Sequence, residues 1–438
     1  MTSENEPYLT RLYHGLPAVM SRGRWLVLSP YAEAVAEIEP ELIDVEQTRL
    51  SLNEIGFFGS PSLTGPGRMS DFFQLTLITT NDCNLQCGYC FAFGGEPDAV
   101  TMDKRVALAG VRYALEKAVG RKLLISFFGG EPTLTPELIR IVVDHSREKV
   151  SSGNIADVAF NITTNGVVPL SFLDFMISNE FFLTISTDGT PEVQNLQRPR
   201  RSGKQSSNHV ERSIRRLVGA GCDFMVRATV TAESVGTLVN AVEYLGGLGV
   251  TKIQFEPLSL AGRAAQITQS QQMSRPSPSE FADNLIGSIV RGAELGVSIM
   301  NSSYMNAMQP STHFCDGVGG NRVAVTYGGD VTTCLEVQGR CHPSGDRFII
   351  GSYDPDTNAI LVEPGKQQTL CGALTVEENP DCQGCFARYI CAGGCPIRNY
   401  HTTGDPARTD PLRCEVTKRV LPFVIELMAD GGEQDERG

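Results

Sequence analysis

Between residues 73 and about 296, short apolar runs alternate with stretches in which apolar residues recur every three to four positions, the signatures of strands and amphipathic helices in turn. Strands are predicted over 73–79, 123–128, 158–163, 182–186, 224–231 and 252–257. Helices are predicted over 103–118, 136–149, 170–178, 210–220, 234–248 and 278–295. Such alternation calls for an α/β fold with a parallel sheet or barrel, whose sites collect at the C-terminal strand ends. Residues 1–70 read as a separate small module: a strand at 24–28, short helices at 31–39 and 45–54, a closing segment at 55–59 and a turn-rich linker at 60–67. A polar run at 266–278 leaves the strand-end face as a surface loop. Downstream, Tyr327-Gly328-Gly329-Asp330 signals a hairpin, 416–428 has helical periodicity, and the charged, Gly-rich 431–438 is expected to be a disordered tail.

Composition narrows the class. The chain has 438 residues, enough for two or three domains with ample core, and its 41 % apolar and 20 % charged content is ordinary for a globular protein. A net charge of −13 argues against broad binding to nucleic acid or an anionic membrane. No run of about 18 apolar residues would span a bilayer. Residues 1–7 are polar and acidic, unlike a secretory signal, so a cytoplasmic location is expected. The thirteen cysteines do change the picture: three lie at 83–90, Cys222 is alone, and nine fall between Cys315 and Cys414. In a reducing compartment such clustering means metal or redox chemistry rather than disulfides.

The first cluster is Cys83-Asn84-Leu85-Gln86-Cys87-Gly88-Tyr89-Cys90, just after the first barrel strand. A [4Fe–4S] cube normally takes four thiolates. Three on one loop would hold three irons and leave the fourth open, as catalytic metal sites do. On spacing alone, a structural zinc or iron site with a distant fourth ligand is the alternative. This CxxxCxxC, with an aromatic residue before its last Cys, resembles the radical S-adenosylmethionine (SAM) enzymes. The resemblance implies that the open iron chelates SAM and that an electron cleaves it to methionine and a 5′-deoxyadenosyl radical.

Polar residues at successive strand ends fit the same family order. Gly129-Gly130-Glu131-Pro132 looks like its GGEP motif, which implies that Glu131 helps to hold the SAM amino group. Thr164 and Asn165 end the third strand, Ser186 and Asp188 the fourth, where hydroxyl and carboxylate suit a ribose. Arg227 on the fifth can meet a carboxylate bidentately, and the sixth offers 254–256, where the family packs adenine. Tyr89 joins this cofactor-binding set. One departure stands out: Gln194-Asn195 replaces the His-Asp pair of many relatives, although Arg198 is kept. The implied fold is a partial (β/α)6 TIM-like barrel over 71–300.

The last third resembles the SPASM extension. Cys315, Gly329, Cys334, Cys382, Cys385, Cys391, Cys395 and Cys414 follow its spacing. The resemblance implies two auxiliary [4Fe–4S] clusters in a domain over 301–430, one on Cys315, Cys334 and Cys395, the other on Cys382, Cys385, Cys391 and Cys414. The first is then one ligand short, and Cys341, Cys371 or an open iron could complete it. A radical SAM/SPASM enzyme would carry three clusters in all and draw electrons from a flavodoxin or ferredoxin type donor. The N-terminal module looks like those preceding the barrel in maturases of ribosomal precursor peptides, which implies docking of such a peptide and its oxidative crosslinking through a C–C, C–S or C–O bond. Sulfatase maturases and small-molecule alcohol dehydrogenases of the same superfamily remain the alternative. Where the maturases place an Asp directly after the second domain cysteine as proton acceptor, this chain has Leu335 and then Glu336, a candidate substitute.

Overall fold

In the computed structural model, residues 8–59, 72–152, 155–267 and 273–435 are described; the linker expected at 60–67 lies outside them, as does part of the loop at 266–278. The N-terminal module is a four-stranded antiparallel meander: β1 (Thr10–Tyr13), β2 (Leu16–Ser21), β3 (Arg24–Ser29) and β4 (Ala34–Ile38), in that spatial order. Alternate residues serve two cores, as a pleated strand requires. Tyr13, Trp25 and Val27 face Ile43 and Phe57 under α1 (Glu46–Glu54), while Val19, Leu26 and Leu28 pack on Ile390, Leu421 and Ile425 from the far end of the chain.

The helix expected at 31–39 is instead a turn followed by β4. Ser29 Oγ accepts a hydrogen bond from Ala32 N at 3.1 Å, and Glu33 takes φ 52°, which reverses the chain. Residues 34–38 then pair with 25–29 of β3 in register. The helix preference of this Ala/Glu run is worth a few tenths of a kcal/mol per residue, less than a sheet partner and a buried Ile38 supply.

The barrel region follows the predicted alternation closely: β5 (Phe72–Thr80), α2 (Lys104–Lys117), β6 (Lys122–Gly129), α3 (Pro136–Ser152), β7 (Asp157–Thr164), α4 (Leu170–Ser178), β8 (Phe182–Ser186), α5 (Pro191–Gln197), α6 (Ser207–Gly219), β9 (Phe224–Val230), α7 (Leu238–Gly247), β10 (Lys252–Pro257), α8 (Arg263–Ile267), α9 (Pro278–Leu295) and β11 (Ser298–Met300). Helix α9 shows why its bounds were legible: Ser277 caps it, Pro278 opens it, and Gly296 ends it in the left-handed region. Strands β5 to β11 are parallel neighbours in chain order. Both faces are covered, so residues such as Leu75, Leu77, Ile125, Phe127 and Ile162 are fully buried.

The sheet does not stop at β5. Strand β12 (Arg322–Val325) pairs with it in parallel, and β13 (Asp330–Thr332), β14 (Ile349–Asp354) and β15 (Ala359–Val362) continue antiparallel, giving eleven strands in one sheet. The C-terminal region is thus built onto the barrel edge and not hung from it. Its helices are α10 (Gly345–Phe348), α11 (Lys366–Ala373), α12 (Arg388–Cys391), α13 (Pro396–Thr403) and α14 (Pro411–Asp435). Helix α14 extends beyond the predicted 416–428 at both ends and into the expected tail; residues 436–438 lie outside the described ones. Among the described residues no helix is long and apolar enough to cross a membrane.

Candidate active site and cysteine clusters

The cysteine loop leaves β5 at its C-terminal end and is strung between two walls. On one side Gly130 N donates to Thr80 O at 2.8 Å and Glu131 N to Asp82 O at 2.7 Å. This pass is so close that a Cβ on Gly129 would lie 2.3 Å from Thr80 O, and one on Gly130 2.1 Å from Asp82 O. The two glycines are therefore needed by the loop itself. On the other side Gln86 N donates to Pro199 O and Arg201 N to Asn84 O. Arg263, at the start of α8, closes the loop from above. It donates to Cys87 O, Gly94 O and Glu96 Oε1, each at 2.9 Å. Sequence reasoning missed Arg263; the signal was Gly262 before it, whose Cβ would sit 2.4 Å from Phe91 O.

Cys83 is buried, with Cys87 and Cys90 partly so. Leu85 N donates to Cys83 Sγ at 3.4 Å, Asn165 Nδ2 at 3.6 Å, and Gly94 N donates to Cys90 Sγ at 3.4 Å. Burial, with Cys90 adding to it, pushes Cys87 up to about 12. Burial, Glu131 and the sister thiols push Cys83 up further. Thiols so far from their ionised state need a cation beside them, and N–H groups already aimed at sulfur suit a thiolate. Among the described residues no three His, Cys, Asp or Glu side chains are arranged to hold one metal ion; a cube takes one thiolate per iron and does not ask for that convergence. The donor set fits an iron–sulfur cluster.

Glu131 and Asp188 prove to be braces. Glu131 is fully buried and accepts from Thr133 N (3.1 Å), Thr133 Oγ1 (2.7 Å), Thr164 Oγ1 (2.7 Å) and Asn165 N (2.7 Å), which ties β6 to β7 below the loop. Asp188 Oδ1 accepts from Thr229 N at 2.9 Å; Oδ2 takes Gln197 Nε2 at 2.8 Å, the Arg198 guanidinium at 3.0 Å and the Tyr89 hydroxyl. Its side chain is wholly enclosed, and both oxygens of Asp188 are engaged by protein donors. Tyr89 is likewise committed, with Arg198 over its ring at 5.2 Å. The departing Gln194-Asn195 pair is structural too. Gln194 Oε1 accepts from Thr187 Oγ1 and Asp188 N, and Asn195 Oδ1 accepts from Ser206 N and Ser207 N at the start of α6.

What faces the open side is a row across the sheet: Ser186 of β8 pairs with Arg227 of β9, which pairs with Gln254 of β10. Burial lowers the pKa of Arg227; Glu256 pushes it back, while Arg398 and Arg198 lower it again. An undercompensated buried guanidinium is a place for a carboxylate. Beyond it, a cleft lined by Glu256, Arg275, Cys395, Arg398, Asp410 and Arg413 joins the barrel to the C-terminal region. Glu256 Oε2 lies 3.2 Å from Arg398 Nη1, and Arg275 pairs with Asp410.

The C-terminal cysteines form two groups. Cys315, Cys334 and Cys395 border one apolar cluster. Burial and Cys315 hold Cys395 up at about 11, and Cys334 is raised by burial and by Cys395. Cys382, Cys385, Cys391 and Cys414 form the other; burial and its three neighbours hold Cys382 at about 12. Ala392, Gly393 and Gly394 between them all have positive φ, which winds the backbone around this group. Cys341 is exposed, and Cys222 lies apart beside α6. Glu336, two residues past Cys334, accepts from His401 Nε2 at 2.6 Å in a mostly enclosed pocket, with the His342 ring 6.0 Å from that of His401. His401 escaped sequence reasoning because nothing local marks it.

A parallel β/α sheet whose first strand ends in a three-thiol loop, flanked by two further thiol groups, defines an iron–sulfur enzyme. Residues 77–245 match the Radical SAM superfamily, which together with the similarities that follow supports a radical SAM/SPASM-type enzyme. An uncharacterized Methanocaldococcus jannaschii protein is 31 % identical over 186 residues, 42 % of this chain and 62 % of that relative, so the match spans less than two thirds of its length. The serine-type anaerobic sulfatase-maturating enzyme of Klebsiella aerogenes is 23 % identical over 72 % of this chain and 77 % of its own length. Among solved structures, native anSMEcpe with bound AdoMet and Cp18Cys peptide superposes with a TM-score of 0.66 at 19 % identity, covering 83 % of this chain and 99 % of that one. Streptococcus suis SuiB bound to precursor peptide SuiA superposes with a TM-score of 0.51 at 12 % identity, covering 92 and 99 %.

Proposed function

We propose that this chain is a peptide-modifying enzyme that binds SAM at the cysteine loop and oxidatively crosslinks a ribosomal precursor peptide. Cys83, Cys87 and Cys90 would hold the SAM-binding cluster, with Gly129 and Gly130 shaping the loop and Ser186, Arg227 and Gln254 facing the ligand, Arg227 toward its carboxylate. Bound there, the cluster and SAM supply a 5′-deoxyadenosyl radical. The protein's part is to hold one target C–H within reach and to keep water out. Glu336, steadied by His401, would take the proton lost as the substrate is oxidised. Cys315, Cys334 and Cys395, and separately Cys382, Cys385, Cys391 and Cys414, would hold two auxiliary clusters, three in all. The observation that carries this reading is the three-thiol loop at the C-terminal end of β5, together with a charged cleft in which Cys395 of a second thiol group meets Glu256 of β10.

The N-terminal sheet supports a peptide substrate: its outer strand β1 offers an edge for strand addition. Deleting residues 1–70 would not test this, because the deletion uncovers Leu421 and Ile425 of α14. The test is co-expression with short peptides encoded beside the gene, read by mass spectrometry. A peptide lighter by two hydrogens, with the link located by fragmentation, supports crosslinking. Similarity to sulfatase-maturating enzymes over 72 % of the chain and the Glu336–His401 pair favour a second reading, oxidation of a serine or cysteine in a sulfatase peptide. Turnover of such a peptide, with no change in neighbouring ones, would replace the first. Cys83→Ala is expected to abolish 5′-deoxyadenosine formation while the auxiliary iron stays bound; continued cleavage would contradict the assignment of this loop.

A further inference from the structure

The seven-cysteine pattern leaves the Cys315 group one thiolate short of four, and two thiols lie near enough in sequence to fill it. Cys341 is exposed. Cys371 lies in α11, whose Leu370, together with Leu374 just past it, is buried in the same apolar cluster that Cys315, Cys334 and Cys395 border. The helix is tied to the segment leading into Cys315. His313 Nε2 donates to the Cys371 carbonyl at 3.0 Å, the other ring nitrogen lies 3.0 Å from Thr312 Oγ1, and Val376 N donates to Thr312 O at 2.8 Å. The loop after Cys315 also reaches the thiol: at Gly320, where φ is +86°, a Cβ would stand 3.7 Å from Cys371 Sγ.

We propose that Cys371, carried by α11 and latched by His313, is the fourth protein ligand of the Cys315–Cys334–Cys395 cluster, which is thereby closed to direct coordination by substrate. The inference rests on the reading of two auxiliary clusters given above. The segment leading into Cys315 carries His313, which holds the Cys371 carbonyl from a distant helix.

The test compares anaerobically reconstituted wild type, Cys371→Ala and Cys341→Ala by iron count and by Mössbauer and electron paramagnetic resonance spectroscopy. Wild type and Cys341→Ala should bind about twelve irons. Cys371→Ala should lose about one and show a three-iron signature. A spectrum of Cys371→Ala identical to wild type overturns the proposal and leaves the two-cluster reading standing; about eight irons in wild type would overturn that reading instead. Should Cys371→Ala fail to fold, alkylation of the intact holoenzyme decides. Cys341 should react while Cys371 is spared, and stripping the iron with a chelator should expose Cys371. Labelling of Cys371 with all iron retained, or labelling unaffected by iron removal, refutes it.

Discussion

At the scale of single residues, the site separates groups that hold from groups that could react. Glu131 was read as a ligand group because Gly-Gly-Glu at a strand end looks like one, yet its oxygens take four bonds from the protein. Burial raises its pKa although those donors oppose the shift. Glu131→Gln would turn an amide NH2 toward either Asn165 N or Thr133 N, both fixed donors. It should cost about 1–3 kcal/mol of stability, measured by chemical denaturation. Glu336 is the reverse case, a side chain with one strong partner and a place next to a thiol group. Glu336→Gln is expected to slow peptide oxidation by about 10²–10⁴-fold while 5′-deoxyadenosine still forms; equal loss of both would deny it a role in proton transfer.

At the scale of elements, the barrel strands and helices were readable because buried parallel strands are continuous apolar runs and their helices carry local caps. Strand β4 was not readable. Its Ala/Glu-rich sequence suits a helix, and only the pairing with β3 makes it a strand. The hinge is Glu33 at φ 52°. A β-branched residue there should cost about 1–2 kcal/mol relative to glycine. Melting Glu33→Val against Glu33→Gly checks this, and equal melting temperatures would mean the turn relaxes freely. Helix α5 is only seven residues long, about two turns, too short for its periodicity to stand out, although its Gln194 and Gln197 position Asp188.

At the scale of the whole molecule, the barrel and the C-terminal region share one sheet and one buried ionic joint. Burial disfavours the charge on Glu256, but Arg398, Arg227 and Arg413 outweigh it and hold the carboxyl below the usual range. A depressed carboxylate pKa contributes stability above the unfolded value, about 4.3, and loses it as pH falls through the folded one. Glu256→Gln leaves the guanidiniums uncompensated and should cost about 3–5 kcal/mol at neutral pH. The gap between wild type and variant, followed by denaturation against pH, should narrow below about pH 4. A gap that is constant with pH would show that Glu256 is not ionised in the folded protein.

By itself the sequence determined the order of elements, the strand ends where polar groups gather and the grouping of the thiols, because periodicity, caps and ligand spacing are local properties. Only the tertiary structure decided which polar groups are used up. Asp188 and Glu131 are engaged by partners 41 and 34 positions away, His401 reaches Glu336 across 65, and α11 returns Cys371 to Gly320 and His313. Side chains so far apart along the chain meet through folding alone, and no spacing records the meeting.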